Sequence, residues 1–569
     1  MGHDQSAAHA APQDVDRRTV LQAGAATAAV TTATAVLPVL AAPTAEAASR
    51  YFRHGVASGD PRPHSVVLWT RVTPTAAAQP GSGKGPRVAV RWQVARDRAF
   101  RRIVARGKQM TGPARDHTVK VDPTGLAAGT EYYYRFLYQG ETSPVGRTKT
   151  APRADADNGN LRFGMVSCAN WQAGYFSAYR HLAQRDDLDM VVHLGDYLYE
   201  YAPGGYGYGP NDVDIRTHVP ATEMVTLSDY RRRHAQYKGD PDLMRLHAKY
   251  AFVTTWDDHE SANDAWVDGA ENHDPATQGS WAARKAAARR AYDEWMPVRM
   301  SNSARLNDGT RLFRRLRFGR LAELSMLDLR THRSKQAVLQ PDPAADDPSR
   351  TITGEAQMSW LKESLQDDRA LWKLVGNPVM IAPVRIPSAY VDEVSEIVET
   401  PLPKDGFPYN IDQWDGYTAD RREIFDHLRD HGVNNAVFLT GDIHSGWACD
   451  LPYDVESYAL GTPLGSSLAT EFVCSSVTSN NLKDITGDPT GVTSTLVETG
   501  VKALNSHVKY LNFDDHGFSV VDIDRTRLQV DWYLISDRRD PKATARREVS
   551  YVTRVNSNRV ERVSRGVEG

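Results

Sequence analysis

The sequence predicts an α/β protein in two parts, a small all-β region followed by a larger region where strands alternate with helices. Three observations carry this. Short apolar runs rich in β-branched and aromatic residues, punctuated by Gly, Pro and Asp, fill residues 50–152. A polar linker at 151–160 separates them from apolar runs that alternate with Ala/Arg/Glu-rich segments, the texture of an α/β sheet. Four of the later runs stop at residues able to bind a metal.

In chain order, the first element is an export signal. Asp16-Arg17-Arg18-Thr19-Val20-Leu21 sets an arginine pair directly before an Ala/Thr/Val-rich stretch at 23–42, and Ala45-Glu46-Ala47 suits a small-residue cleavage site. Together they predict a twin-arginine signal over 1–47, secretion through the twin-arginine export machinery, and a mature chain from near Ala48. Export in the folded state serves proteins that acquire a cofactor in the cytoplasm, a first pointer to metal.

The runs Ser65-Val66-Val67-Leu68-Trp69-Thr70, Val88-Ala89-Val90-Arg91-Trp92-Gln93-Val94 and Glu131-Tyr132-Tyr133-Tyr134-Arg135-Phe136 predict a small β-sandwich of immunoglobulin or fibronectin type over 50–152. The α/β region spans 160–540, with helical texture at 280–295 and 355–368. Two loop-like stretches, 202–220 and 383–417, are long enough to read as functional covers, although Gly204-Gly205-Tyr206-Gly207-Tyr208-Gly209 alone equally fits plain surface. Residues 541–569 read as a C-terminal tail, its Arg-rich part at 546–565 as a solvated terminal helix.

Composition narrows the function classes. Across 569 residues, 68 Lys and Arg against 71 Asp and Glu give a net charge of −3, which argues against a nucleic-acid-binding surface. With 41% hydrophobic and 24% charged residues the chain reads as globular. It has no strongly apolar run of about 18–20 residues, so no integral membrane segment is expected. Three cysteines are too few for a disulfide scaffold; a Cys449–Cys474 bridge is possible and would leave Cys168 alone.

The chemistry lies at strand ends. One run ends in Ser167-Cys168-Ala169-Asn170, a second in Gly195-Asp196-Tyr197-Leu198-Tyr199, a third in Asp257-Asp258-His259-Glu260 and a fourth in Gly441-Asp442-Ile443-His444. Ligands collect beyond the carboxyl ends of strands in an α/β sheet. Each motif alone has a bland reading: Cys168 as a small buried hydrophobe, Asp257-Asp258-His259-Glu260 as an acidic helix start, Tyr199 as core or lid. Their joint occurrence reverses those readings. The thiol, phenol, carboxylate and imidazole of Cys168, Tyr199, Asp196 and His444 form a set suited to iron. Asp258 and Asp442, with Asp196 shared as a bridge, suit a harder ion such as calcium.

Gly195-Asp196-x-x-Tyr199 with Gly441-Asp442-x-His444 resembles the calcineurin-like metallophosphoesterases. Adding Phe52-Arg53-His54-Gly55-Val56-Ala57-Ser58-Gly59-Asp60-Pro61, Ser167-Cys168, Tyr199-Glu200 and Trp256-Asp257-Asp258-His259-Glu260, the chain resembles the PhoD-type alkaline phosphatases from about residue 52 to about 540. The resemblance implies an N-terminal β-sandwich and a catalytic α-β-β-α sandwich of two packed sheets flanked by helices. It also implies one Fe³⁺ on Cys168, Asp196, Tyr199 and His444, with Ca²⁺ nearby on Asp196, Asp258 and Asp442. Other calcineurin-like enzymes usually carry His where Asp442 stands, an exchange that fits a harder second ion.

The expected function is therefore a secreted phosphoesterase, an alkaline phosphatase that also takes phosphodiesters through a metal-activated hydroxide. His259 is expected to protonate the leaving oxygen or steady the transition state, and Asn263 to hold a phosphate oxygen or complete a calcium shell. Asp328 and Arg330 are weaker candidates for support of the site. The main alternative is a phosphodiesterase or phospholipase D acting on phospholipids at the same metals. A third is a secreted wall- or carbohydrate-binding protein with structural calcium, which would leave Cys168, Tyr199 and His259 without a task. A monomer is expected. His193 reads as a satisfied strand residue. The H-x-K-x₄-D pattern from His507 to Asp514 has no second copy, as a histidine-nucleophile phospholipase would need, and reads as a strand near the catalytic sheet, with His507 possible at the cleft.

Overall fold

Period-two burial shapes the first region: Glu131–Tyr138 buries Tyr132, Tyr134 and Phe136 and turns the residues between them outward. The computed structural model describes residues 49–337, 343–386, 407–408, 410–459 and 466–567. The signal read at 1–47 and most of the 383–417 loop lie outside the described residues.

The described strands of the first region are β1 (Val56–Arg62), β2 (Ser65–Arg71), β3 (Val88–Ala95), β4 (Ile103–Thr111), β5 (Thr118–Val121), β6 (Glu131–Tyr138), β7 (Glu141–Thr142) and β8 (Gly146–Lys149). There follow β9 (Asn160–Val166), β10 (Met190–Leu194), β11 (Ala251–Thr255), β12 (Arg314–Phe318), β13 (Ala322–Met326), β14 (Trp372–Asn377), β15 (Arg385–Ile386) and β16 (Phe407–Pro408). The last are β17 (Ala436–Thr440), β18 (Gly446–Pro452), β19 (Ser467–Val473), β20 (Val508–Asn512), β21 (Gly517–Asp524), β22 (Arg527–Ile535), β23 (Ala545–Arg554) and β24 (Val560–Val563).

A ten-stranded sheet runs β24-β23-β22-β21-β9-β10-β11-β1-β2-β5, and a seven-stranded sheet runs β12-β13-β14-β17-β19-β18-β20. Phe163, Val192, Leu194 and Val253 of the first pack with Leu324, Leu374, Val437 and Phe472 of the second in one buried cluster. Helices cover the outer faces. Ser177–Gln184, Pro241–Lys249 and Trp281–Trp295 supply Leu182, Leu246 and Ala291 to the core over the ten-stranded sheet. Glu355–Leu365 and Thr418–Asp430 supply Leu361 and Phe425 to the core over the other. The layers are therefore helix, sheet, sheet, helix. Ser280 caps Trp281–Trp295 and a Thr226/Asp229 capping box starts Leu227–Lys238.

The first region does not keep its strands to itself. β3, β4, β6, β7 and β8 form a five-stranded sheet. It shares a core with β1, β2 and β5, in which Val66, Leu68, Val90, Tyr134 and Phe136 meet. Yet β1 pairs in parallel with β11, Ser58 opposite Ala251, so one face of this sandwich is the edge of the ten-stranded sheet. The Gly59-Asp60 pair makes the junction. A Cβ at Gly59 would stand 2.6 Å from Phe252 O, and the Asp60 carboxylate receives Arg314 at 2.6 Å and the Arg299 N–H at 2.7 Å.

Two expectations need correction. The Arg-rich end is neither a helix nor a free tail. β23 and β24 extend the ten-stranded sheet, because Val549, Tyr551 and Val552 bury against it while Arg546 and Arg547 face out. The Cys449–Cys474 bridge does not form: both thiols are free and buried, and Cys474 Sγ turns to Ser167 Oγ at 3.3 Å. Among the described residues no helix is long and apolar enough to cross a membrane.

Candidate metal centre

β9, β10 and β11 run parallel in one sheet and β17 runs parallel to β14 in the other, and their carboxyl ends meet. Two glycines allow the approach. A Cβ at Gly195 (φ 109°) would lie 2.6 Å from Asp257 Cβ, and one at Gly441 would lie 2.8 Å from Ser167 Cβ. At these strand ends Cys168, Asp196, Asp442 and His444 adopt φ of 59°, 53°, 66° and 56°. Left-handed backbone at non-glycine residues costs about 1–3 kcal/mol each and persists where its surroundings over-determine it. The bracing here is visible. Glu260 accepts the N–H groups of Tyr197 at 2.7 Å, Asp257 at 2.9 Å and Asp196 at 3.2 Å, tying the β10 and β11 loops together. Ala169 N–H reaches Asp196 O at 2.9 Å, and Thr478 N–H reaches Cys168 O at 3.2 Å.

Donor atoms converge in three overlapping groups: Cys168, Asp196 and His444; Asp196, Asp258 and His259; and Asp257, Asp258 and Asp442. Within each group the atoms lie within 4.8 Å of one another. Asp196 is common to the first two and Asp258 to the last two. Tyr199 completes the first group, its hydroxyl 2.8 Å from Asp196 Oδ2 and 3.3 Å from His444 Nε2. His444 Nδ1 donates to Asn480 O at 2.8 Å, which leaves the Nε2 lone pair facing the group. Among the described residues Asp196 Oδ1 is buried without a partner.

The electrostatics call for cations. Burial, then the Asp196 carboxylate, pushes the Cys168 thiol and the Tyr199 phenol well above their usual ranges. Burial also raises Asp196, against the pull of His259 and with the help of Asp258. Burial thus disfavours the charged form of each of these groups, and a bound cation offsets that bias by stabilising the thiolate, phenolate and carboxylate. A soft-to-intermediate donor set, an orphaned carboxylate oxygen and a histidine of fixed tautomer all fit a metal ion.

His259 is fixed differently. Burial disfavours its charge, but Asp258, Glu200 and Asp196 outweigh burial and hold it protonated well above the ordinary histidine range. Its Nδ1 meets Glu200 Oε2 at 2.8 Å, and its ring lies 4.1 Å from that of Tyr199. Asn263 stands outside all three donor groups. Its N–H donates to Glu200 Oε1 at 2.7 Å and its side-chain amide to Glu271. Asp328 also stands outside, accepting Trp256 Nε1 at 2.7 Å. Arg330 is central: it meets Asp257 at 2.5 Å, Asp412 at 2.7 Å, Asp442 at 3.5 Å and Asp258 at 3.8 Å.

The Gly/Tyr loop covers the centre. Tyr206 lies 5.8 Å from the Tyr199 ring, and its hydroxyl is 3.5 Å from His444 Nδ1. His193 sits inside β10 with Nε2 at 3.0 Å from Tyr179 OH. His507 belongs to none of the three donor groups, its Nε2 lying 2.7 Å from Pro383 O, and Lys509 donates to Ser506 O. Sequence reasoning gave no role to Asp257, Glu200, Glu260, Gln413, Ser479 or Asn480. The first three stand within quoted motifs. Gln413 donates to Asp442 Oδ2 at 2.9 Å from a loop with no motif. Ser479 donates to Tyr199 OH at 2.6 Å, and the one signal for it and Asn480 was the polar run 475–481 after an apolar strand.

The model of the PhoD-like phosphatase family matches residues 163–532. The chain belongs to that family. The model of the PhoD-like phosphatase N-terminal domain matches residues 38–152. Over 517 residues the chain is 34% identical to alkaline phosphatase D of Bacillus subtilis (strain 168), covering 90% of this chain and 82% of that protein. A solved structure of PhoD superposes with a TM-score of 0.79 at 33% identity, covering 92% of this chain and 94% of the other. This PhoD-like protein is accordingly a phosphatase, a hydrolase of phosphate esters.

Proposed function

We propose that this phosphatase is a secreted, metal-dependent enzyme that hydrolyses phosphomonoesters and phosphodiesters. Iron as Fe³⁺ is assigned to Cys168, Asp196, Tyr199 and His444, and Ca²⁺ to Asp196, Asp258 and Asp442. The observation that carries the reading is Asp196: it belongs to two donor groups, and its Oδ1 has no partner among the described residues. The helix–sheet–sheet–helix layering, completed by β23 and β24, supports assignment of the region from residue 160 through β24 to the calcineurin-like class. Residues 50–152 are assigned an immunoglobulin-like sandwich that borrows one sheet. Residues 1–47 act as the twin-arginine signal, and the exported chain works as a monomer.

Ions in such a site lower the pKa of bound water towards neutrality and offset phosphoryl charge. The chain's own residues do the rest. His259, oriented by Glu200 through Nδ1, carries a proton on its other ring nitrogen for the leaving oxygen. Arg330 balances Asp257, Asp258 and Asp442 and holds them in place. Asn263, fixed by Glu200 and Glu271, is assigned the contact to a phosphate oxygen. Tyr206 covers the centre and limits water.

The test is parallel initial rates on p-nitrophenyl phosphate, its bis-ester and phosphatidylcholine, before and after chelation and with iron and calcium restored. Rates that fall on chelation and return only with both ions are expected. Undiminished turnover by a chain stripped of both metals would end the reading. Dominant turnover of phosphatidylcholine would move the substrate class to phospholipids at the same site.

A further inference from the structure

A net charge near zero conceals a basic run in the first region. Residues 87–108 carry eight Lys or Arg and one acid, Asp97. The Asp97 carboxylate is occupied by the backbone N–H groups of Arg101 and Arg102. The register of β3 and β4 sets Arg91 directly opposite Lys108, and Arg106 opposite Gln93. Like charges across an antiparallel ladder repel and destabilise the pairing. Among the described residues, Arg91, Arg106 and Lys108 have no ion-pair partner. Folding alone gives no reason for that arrangement.

β4 is the edge strand of its sheet. By the two-residue period, Val104, Arg106, Lys108 and Met110 share one face. Val104 and Met110 are 47% and 43% exposed, and Ile103 beside them is 37% exposed. Two cations are thus bracketed along one strand by two exposed apolar side chains, with Arg91 on the neighbouring strand. A soluble polyanion would engage the cations and leave the apolar residues idle. A bilayer interface with anionic head groups engages both, through charge attraction and shallow apolar insertion.

We propose that this face of the N-terminal sheet docks on an anionic lipid surface. Arg91, Arg106 and Lys108 meet head-group phosphates, and Val104 and Met110 enter the boundary of the acyl region. The inference is independent of which ester the metal centre prefers, since it concerns binding and not turnover.

The experiment is co-sedimentation of the purified chain with vesicles of phosphatidylcholine and phosphatidylglycerol in equal parts, with pure phosphatidylcholine vesicles as reference. Binding to the mixed vesicles, weakened by salt, is expected. Each cation at such a surface is worth roughly a factor of five, so R91A/R106A/K108A should weaken binding about 100-fold. V104S/M110S should weaken it several-fold while leaving affinity for soluble polyphosphate unchanged. All five positions lie on an exposed face, so melting temperature and hydrolysis of a soluble ester report that both variants remain folded. Equal binding to neutral and anionic vesicles, or an unweakened triple variant, overturns the proposal. Unchanged vesicle binding by V104S/M110S also overturns it and assigns the face to a soluble polyanion.

Discussion

Tyr199→Phe separates a metal ligand from a packed aromatic residue, because it keeps the ring and removes only the oxygen. In the metal-free protein the Tyr199 hydroxyl donates to Asp196 Oδ2 at 2.8 Å and accepts from Ser479 at 2.6 Å. Ser479 has a second acceptor in Cys168 O at 3.0 Å, so it stays satisfied. Asp196 does not, since its other oxygen already lacks a partner. One unmet buried group costs about 1–3 kcal/mol, and the metal-free variant should lose stability by that amount. The iron-loaded comparison differs in kind. Tyrosinate on Fe³⁺ colours a protein, and the variant should lose the visible band. Each tenfold loss of iron affinity should also remove about 1.4 kcal/mol of the stabilisation that saturating iron gives. The assay is visible absorbance at equal protein, iron content per chain, and melting with and without chelator. A variant that retains both iron and the band would refute the assignment of Tyr199.

Three further outcomes are expected. Asp60→Asn weakens the junction between the two regions, where Arg314 and Asp60 are paired at 2.6 Å and nearly fully buried. Breaking such a pair costs about 3–5 kcal/mol, to be read as a lower urea midpoint. Ser479→Ala removes the donor to the Tyr199 oxygen and should move the visible band of the iron form to longer wavelength, because the phenolate then holds its electrons less tightly. Burial, with Lys238 nearby, pulls His193 down to about 3. The unfolded chain therefore takes up this proton first as pH falls. Stability is full above about 6.5 and is lost towards about 3, with about 2 kcal/mol gone by about pH 5. His193→Gln should flatten that part of the melting-temperature profile, and an unchanged acid slope would show that His193 does not contribute.

The strands of the fold were legible where one face is buried and the other is wet, as in Glu131–Tyr138, because alternation is then written in the residues themselves. Sheet membership was not. Val56–Arg62 reads as a strand of a small sandwich, and no local pattern says that Ser58 will pair with Ala251, nearly two hundred residues on. That pairing depends on Gly59 admitting Phe252 O, a fact about contact and not about periodicity. The C-terminal misreading has the opposite origin. Six Arg over 546–565 suggested a solvated helix, but Val549, Tyr551 and Val552 had a sheet edge to cover, and tertiary burial outweighed the composition.

The candidate ligands were legible because metal chemistry restricts residue type, whereas the residues that aim them were not. Cys168, Asp196, Asp258, Asp442 and His444 could be named from Cys, Asp and His at strand ends, but a brace can be any group that forms a hydrogen bond. Glu260 holds three backbone N–H groups, Asn480 works through its backbone carbonyl, and Ser479 works through a single hydroxyl. These braces explain why four of the candidate ligands remain in left-handed backbone that their residue types disfavour. The strain is held by groups outside the donor set. Substitution of Glu260 should therefore disorder the approach of Asp196 and Asp257 while leaving every donor in the sequence, which separates possession of the right residues from the geometry that makes them a site.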